Sequence, residues 1–289
     1  NTAGSYTITV TPKNVSGLVV CNGETVTGLV TVKPRPTVTA TNNNPEFCTG
    51  GTTDIALSAA PANVAGTLFN WSRDNTTDVV GTSSATGITG TIGVVLTNTT
   101  NLPQVVIFSI TPIADGCTGT VVTSSVTVNP TPSVTVTNVA PVICTGGTTN
   151  ITLSPMPNNV SGTTYSWTRT NTTNVTGTNS ETNISGSISV VLINALTTNQ
   201  TTQFSITPYA NGCPGSPFNT TVQVGALPVV SANVSAITPI CEGSNTIITV
   251  GPPTQSGYTY QVLRSDDSPI VGASISSAGT GAKNITVPA

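Results

Sequence analysis

A block of about 96 residues occurs twice in full along this chain, and a repeat of that length restricts the chain to small domains arranged in series. Cys48-Thr-Gly-Gly-Thr-Thr returns as Cys144-Thr-Gly-Gly-Thr-Thr. Trp71 returns as Trp167, Arg73 as Arg169, Cys117 as Cys213, and Ser109-Ile-Thr-Pro112 as Ser205-Ile-Thr-Pro208, every pair separated by 96 positions. A third copy is more diverged. Pro239-Ile-Cys241 stands for Pro141-Val-Ile-Cys144, and Tyr260-Gln-Val-Leu-Arg264 stands for Tyr165-Ser-Trp-Thr-Arg169, with Val262 in place of the tryptophan.

The outer segments read as parts of a repeat. Tyr6–Pro12, Cys21 and the run 25–32 match Phe108–Pro112, Cys117 and the run 121–128, which is the last third of a repeat. Residues 226–289 match the first two-thirds. Joining Ala289 to Asn1 gives a string that compares well with residues 188–206. The expected organisation is therefore 1–33 as the last two strands of a split repeat, 34–129 and 130–225 as complete repeats, and 226–289 as the opening part of a repeat completed by the next copy. A covalent array running on from Ala289 is the simpler reading of this pattern, and a donor hairpin passed between separate chains is the alternative.

Within a repeat the pattern is that of strands. Valine and threonine alternate with other apolar and polar residues, and their branched Cβ atoms suit a pleated surface. About seven short segments of this kind, with turns every 8–14 residues and no helical periodicity, predict an all-β fold of tandem immunoglobulin-like β-sandwiches. Trp71 and Trp167 fall on the third predicted strand, with Phe69 and Tyr165 two residues earlier on the same face. That spacing makes all four core residues. Arg73 and Arg169 share the parity but lie near the strand end, where solvent or a nearby loop is expected to satisfy them.

Cys-x-Gly-Gly, Tyr-x-Trp, Ile-Thr-Pro-x-x-x-Gly-Cys and the closing Thr-Val-x-Val-x-Pro-x-Pro run together resemble the PKD-like and immunoglobulin-like repeats of giant secreted surface proteins of gliding bacteria. The resemblance covers essentially the whole chain. It implies a secreted β-sandwich array in a long adhesin or fibre at the cell surface, and no catalytic residues.

The residues give little material for chemistry. The chain holds no histidine, ten acids and seven bases, a charged fraction of 6% against about 25% in ordinary domains. That excludes a basic groove for nucleic acid and leaves few ligands for a metal. Asp74, Asp78 and the pair Asp266-Asp267 are the only acidic groupings weighed for calcium. The second repeat carries only Arg169 and Glu181 as charged residues, which rules out a lysine–asparagine cross-link there. Asn75, Asn150, Asn171 and Asn183 head Asn-x-Ser/Thr sequons and leave glycan attachment open. No run of about 18 apolar residues spans a membrane. No catalytic, cofactor-binding or metal residue is assigned, and no cofactor is expected.

Six cysteines in an even, regular series without histidine point to disulfides in an oxidising compartment. Two pairings compete. Simple repetition, together with the paired cysteine motifs of the resembling family, suggests Cys48–Cys117 and Cys144–Cys213 inside each repeat. Strand order instead places the first cysteine of a repeat at one end of its sandwich and the second at the other, too far apart for a bridge. It favours Cys48–Cys213 across the junction, with Cys21, Cys117, Cys144 and Cys241 pairing to neighbouring copies.

The sequence thus reads as a stiff, disulfide-stapled structural rod, its partners being head-to-tail copies of the same repeat. The competing readings are repeats that bind glycan or protein directly, for which Tyr209, Phe218 and Tyr258 are the exposed aromatic candidates, and a spacer for another domain.

Overall fold

The computed structural model describes residues 3–59, 64–156 and 160–227, and beyond them the backbone of the strands Ala232–Asn233, Asn245–Val250, Ser274–Ile275 and Lys283–Pro288. Every regular element among the described residues is a strand. The chain divides into two compact units. One comprises Asn1–Pro132 with Asn158–Gly162 and Tyr209–Gly215, and the other Ser133–Pro157, Thr163–Pro208 and Ser216–Ala289.

In the first unit the larger sheet runs Ser84–Ile88, Leu68–Arg73, Gln104–Ala114, Val122–Asn129 and Glu46–Cys48, with Cys117–Thr118 folding back on Gln104–Ala114. A three-stranded sheet of Thr91–Ile92, Ile55–Ala59 and Val38–Asn42 forms separately. Strand alternation sends one side chain in two to a shared core: Ile55, Leu57, Phe69, Trp71, Val106, Phe108, Ile110, Val126 and Val128 pack in one cluster. Asn42 ties the two sheets at their edge, its Nδ2 donating to the Ser125 carbonyl at 2.7 Å. The all-β, tandem sandwich fold is thereby shown.

The second unit repeats this plan at the same shift. Ser180–Ile184, Thr164–Arg169, Gln200–Ala210, Phe218–Gly225 and Val142–Cys144 form the larger sheet, and Thr135–Asn138, Ile151–Ser154 and Ser187–Ile188 the smaller. Asn138 Nδ2 reaches the Thr221 carbonyl at 2.9 Å, the counterpart of the Asn42 bond.

Buried polar residues repeat as faithfully as the apolar ones. Thr53 Oγ1 donates to the Ile92 carbonyl and accepts from Val94 N–H, and Thr149 does the same with Ile188 and Val190. Asn98 Nδ2 bridges the Leu102 and Val128 carbonyls, as Asn194 Nδ2 bridges those of Thr198 and Val224. These side chains replace ladder bonds where a strand leaves its sheet, so no backbone carbonyl is stranded there.

The head of the chain forms a long two-stranded ribbon. Gly4–Val10 pairs with Val26–Val32, and Lys13–Ser16 with Val19–Asn22 beyond it. Its register matches that of Gln104–Ala114 on Val122–Asn129: Ile8 opposes Gly28 as Phe108 opposes Ser124, and Val10 opposes Val26 as Ile110 opposes Val122. Further along, Ala232–Asn233, Asn245–Val250 and Lys283–Pro288 pair in the order of the smaller sheet of a complete repeat, with Ser274–Ile275 added outside Lys283–Pro288.

Candidate functional site

The four aromatic positions read as core are buried. Phe69 and Trp71 are below one-tenth exposed, as are Tyr165 and Trp167. Each tryptophan leans on a phenylalanine of the next strand, Trp71 on Phe108 at 5.4 Å between ring centres and Trp167 on Phe204 at 5.2 Å, tilted by about 50°. Burial pushes the Tyr165 phenol above its ordinary value. These residues position the sheets and offer no surface to a ligand.

Of the two partners expected for the arginines, solvent or a nearby loop, the structure shows the loop. Arg73 and Arg169 are each only 7% exposed. Arg73 Nε donates to the Thr82 carbonyl, Nη2 to Gly81, and Nη1 to Asp74 and Asn75. Arg169 Nε donates to Thr178, Nη2 to Gly177 and to Asn179 Oδ1, and Nη1 to Val175. A planar fork with five fixed donors fits a curl of carbonyls better than any other side chain. The curl itself depends on glycine. Gly81 and Gly177 sit at φ 139° and 134°, with the carbonyls of Val95 and Val191 2.4 Å from where a Cβ would stand. Desolvation lowers both guanidinium pKa values, and at Arg73 the Asp74 carboxylate opposes it.

Of the sequon asparagines, Asn75 and Asn171 spend their amides on structure. Asn75 Nδ2 donates to the Val105 carbonyl and Gln104 Oε1, and Asn171 Nδ2 to Thr201 and Gln200 Oε1. A glycan on that nitrogen would remove these bonds. Asn150 and Asn183 are exposed. Among the described residues no three His, Cys, Asp or Glu side chains come together; Asp74 accepts from Ile107 N–H instead. Tyr209 and Phe218 are 38% and 43% exposed. Tyr258, Asp266, Asp267 and Cys241 lie outside the described residues.

Among the described residues two of the cysteines meet. Cys48 is bonded to Cys213, with the Cα atoms 5.6 Å apart. Both lie in the first compact unit. The pairings Cys48–Cys117 and Cys144–Cys213 are absent, and Cys117 and Cys144 are free thiols, as is Cys21. The reason is the three-residue strand Glu46–Cys48. It runs parallel to the last strand of its repeat and sets Cys48 opposite Asn129, at the outgoing end of the sheet. Cys117 sits in the hairpin at the incoming end, paired with Ala114. Cys213 occupies the equivalent hairpin one repeat later, paired with Ala210.

Around the disulfide, Asn129 Nδ2 donates to the Asn211 carbonyl at 3.3 Å and to Glu46 Oε1 at 2.7 Å. The same contact occurs 96 residues earlier, where Lys33 Nζ donates to the Asp115 carbonyl at 2.9 Å. Two side chains 96 positions apart thus reach hairpin turns that are themselves 96 positions apart. Gly119 closes the earlier hairpin against the linker: a Cβ there would lie 1.9 Å from the Pro36 carbonyl oxygen and 2.7 Å from Pro112 Cγ. Neither backbone nor proline ring yields cheaply. Gly119→Ala is therefore expected to cost about 1–3 kcal/mol and to abolish hydrogen-exchange protection of the Gly119 amide, which donates to the Pro112 carbonyl at 2.9 Å. Unchanged protection would show that the linker accommodates the methyl group.

The sequence signature of the PKD-like domain matches residues 45–132 and 141–228, more than half of the chain. No curated protein matches. Among solved structures, a three-domain immunoglobulin fragment of titin is similar at 12% identity over 88% of each chain, with a TM-score of 0.41. The S-layer protein rSbsC is similar at 14% identity over 99% of this chain and 44% of its own, with a TM-score of 0.25. The ectodomain of human desmocollin-1 is similar at 12% identity over 98% of this chain and 59% of its own, with a TM-score of 0.22.

Proposed function

Because this chain belongs to the PKD-like domain family, we propose that it is a structural repeat segment of an extracellular fibre, stalk or surface adhesin, whose joints are clasped so that the array bears tension without catalysing a reaction. The observation that carries this reading is the recurrence of one joint. Lys33 with Asp115 and Asn129 with Asn211 make the same side-chain-to-turn contact one repeat apart, and the second is doubled by Cys48–Cys213. A disulfide in that position suits an oxidising, extracellular setting. It also changes how the chain carries load: force applied at the ends passes through the sulfur–sulfur bond and bypasses the residues it encloses.

Single-molecule extension of the chain from its two termini tests this. The bond encloses a sequence separation of 165 residues, which at 3.3–3.6 Å per residue hides roughly 550–600 Å of extended chain. That length is expected to appear only after a reductant is added. Equal extension with and without reductant would reject the clasp. Release of the reduced repeats at forces no greater than those that extend an unfolded chain would reject the load-bearing role.

A further inference from the structure

We propose that Asn211 is a site of spontaneous chemical modification guarded by the Cys48–Cys213 disulfide. While the bond is closed the side-chain amide is retained, and once the bond opens it is converted to aspartate and isoaspartate. Asn211 reacts in this way whether or not the array carries tension.

The chain contains two Asn-Gly steps, Asn22-Gly23 and Asn211-Gly212. A glycine after asparagine leaves its main-chain nitrogen open to the asparagine side chain, because no Cβ stands in the way. Asn211 and Gly212 are both exposed to water. They are the two central residues of a hairpin turn closed by the pair Ala210 and Cys213, so the Gly212 N–H lies outside the ladder.

The fold holds that nitrogen away from the amide. Asn211 has φ 50° and Gly212 φ 74°, the left-handed pair that a two-residue hairpin turn requires. In that region ψ of a residue with a side chain is about +30 to +60°. The Gly212 nitrogen then lies anti to the Asn211 Cβ across the Cα–C bond, on the far side from the side-chain carbonyl carbon. Attack requires roughly half a turn of ψ. That rotation swings the Asn211 carbonyl, which accepts from Asn129 Nδ2 at 3.3 Å. It also moves Cys213, which is 1% exposed and bonded to Cys48. Two grips, one of them covalent, hold the torsion on which the reaction depends.

The counterpart turn shows which product the fold accepts. Asp115-Gly116 stands 96 positions earlier with φ 49° and 79°, and its Asp115 carbonyl accepts from the cationic Lys33 Nζ. At the later turn the partner is the neutral Asn129, which also donates to Glu46 Oε1. An aspartate at 211 therefore adds a charge of the same sign as Glu46 with no cation to offset it. Isoaspartate is worse placed, since its extra main-chain atom does not fit a two-residue turn that keeps Ala210 opposite Cys213. Modification marks a joint that has opened and hinders its closing again.

The chemistry needs only water and base. The Gly212 nitrogen gives up its proton and attacks Asn211 Cγ, the bond from Cγ to the side-chain nitrogen breaks, and ammonia leaves. The five-membered imide then takes up one water. Opening at Cγ leaves aspartate in the normal chain, and opening at the main-chain carbonyl leaves isoaspartate. Nothing is oxidised or reduced.

The test incubates the full chain at mildly alkaline pH with and without a reductant and follows residues 211 and 22 by peptide mass mapping. A synthetic peptide of residues 207–216 gives the rate of the unrestrained step. The oxidised chain is expected to keep Asn211, and the reduced chain to lose it roughly tenfold faster. Cys48→Ser is expected to show the fast rate without reductant. Asn22, remote in sequence from the bond, is expected to react at one rate throughout. An oxidised chain that reacts as fast as the peptide would overturn protection by the turn. Equal rates at Asn211 in oxidised and reduced chains would overturn the guarding role of the disulfide, and so would an equal acceleration at Asn22, which would mean general loosening. The extension experiment reads the path of force and not the amide, so either result stands without the other.

Discussion

Replacing Trp167 with alanine is expected to destabilise the second repeat more than any surface substitution while sparing the first. The indole is 1% exposed and lies against Phe204, the two ring centres 5.2 Å apart, at the middle of a cluster with Ile151, Ile188, Leu192 and Val222. Truncating a buried tryptophan costs about 3–5 kcal/mol. A domain of this size is stable by about 5–15 kcal/mol, so the loss removes from about a fifth to all of what holds it. Hydrogen exchange read peptide by peptide checks this: protection should fall in 164–169 and 200–206 and hold in 68–73 and 104–114. A second substitution separates packing from polarity. Trp167 Nε1 is buried without an acceptor, a state that costs about 1–3 kcal/mol. Trp167→Phe removes that stranded donor along with some apolar area. It should therefore destabilise by less than half of what Trp167→Ala does. Equal losses would mean that the indole N–H finds an acceptor.

The sandwich and its core were readable because they rest on local signals. Alternation set the inward face of 104–110 and 200–206, and the same parity put Phe69, Trp71 and Arg73 on one side of one strand. Parity was in fact the better guide to the arginines than residue type. Arginine is rarely buried unless paired, and its partners here are backbone carbonyls of a loop, which no residue identity advertises. The only hint was a glycine eight positions later in both repeats, Gly81 and Gly177. Harder still was the strand Glu46–Cys48. Three residues show no period, and its partner Asn129 lies 81 positions away in sequence in a parallel pairing. That strand carries Cys48 to the outgoing end of the sheet, so it decides which cysteine is within reach. Repetition alone and the family's paired motifs argued for the other answer, because both describe spacing and neither describes which end of a sandwich a residue occupies.

Arg169→Met is expected to cost about 2–4 kcal/mol. Methionine fills a similar volume and keeps the stem packed, so the loss reports the guanidinium. Four acceptors go unmet: the carbonyls of Val175, Gly177 and Thr178, and Asn179 Oδ1. Water can reach the outer ones, but the bond to Val175 is buried, and an unsatisfied buried carbonyl costs about 1–3 kcal/mol by itself. Arg169→Lys should recover little, since an ammonium is a compact group that cannot span the curl. Calorimetry of the two variants at pH 5 and pH 9 distinguishes hydrogen bonding from titration. Desolvation lowers the guanidinium pKa in the folded chain, so the unfolded chain binds its proton more tightly. That linkage adds stability only as pH climbs into the guanidinium range and contributes a constant below it. The gap between wild type and Arg169→Met should therefore be the same at both pH values. A gap that narrows at either one would show that some other ionising group holds the 175–179 loop, and that the carbonyl curl is a consequence of the fold and not one of its supports.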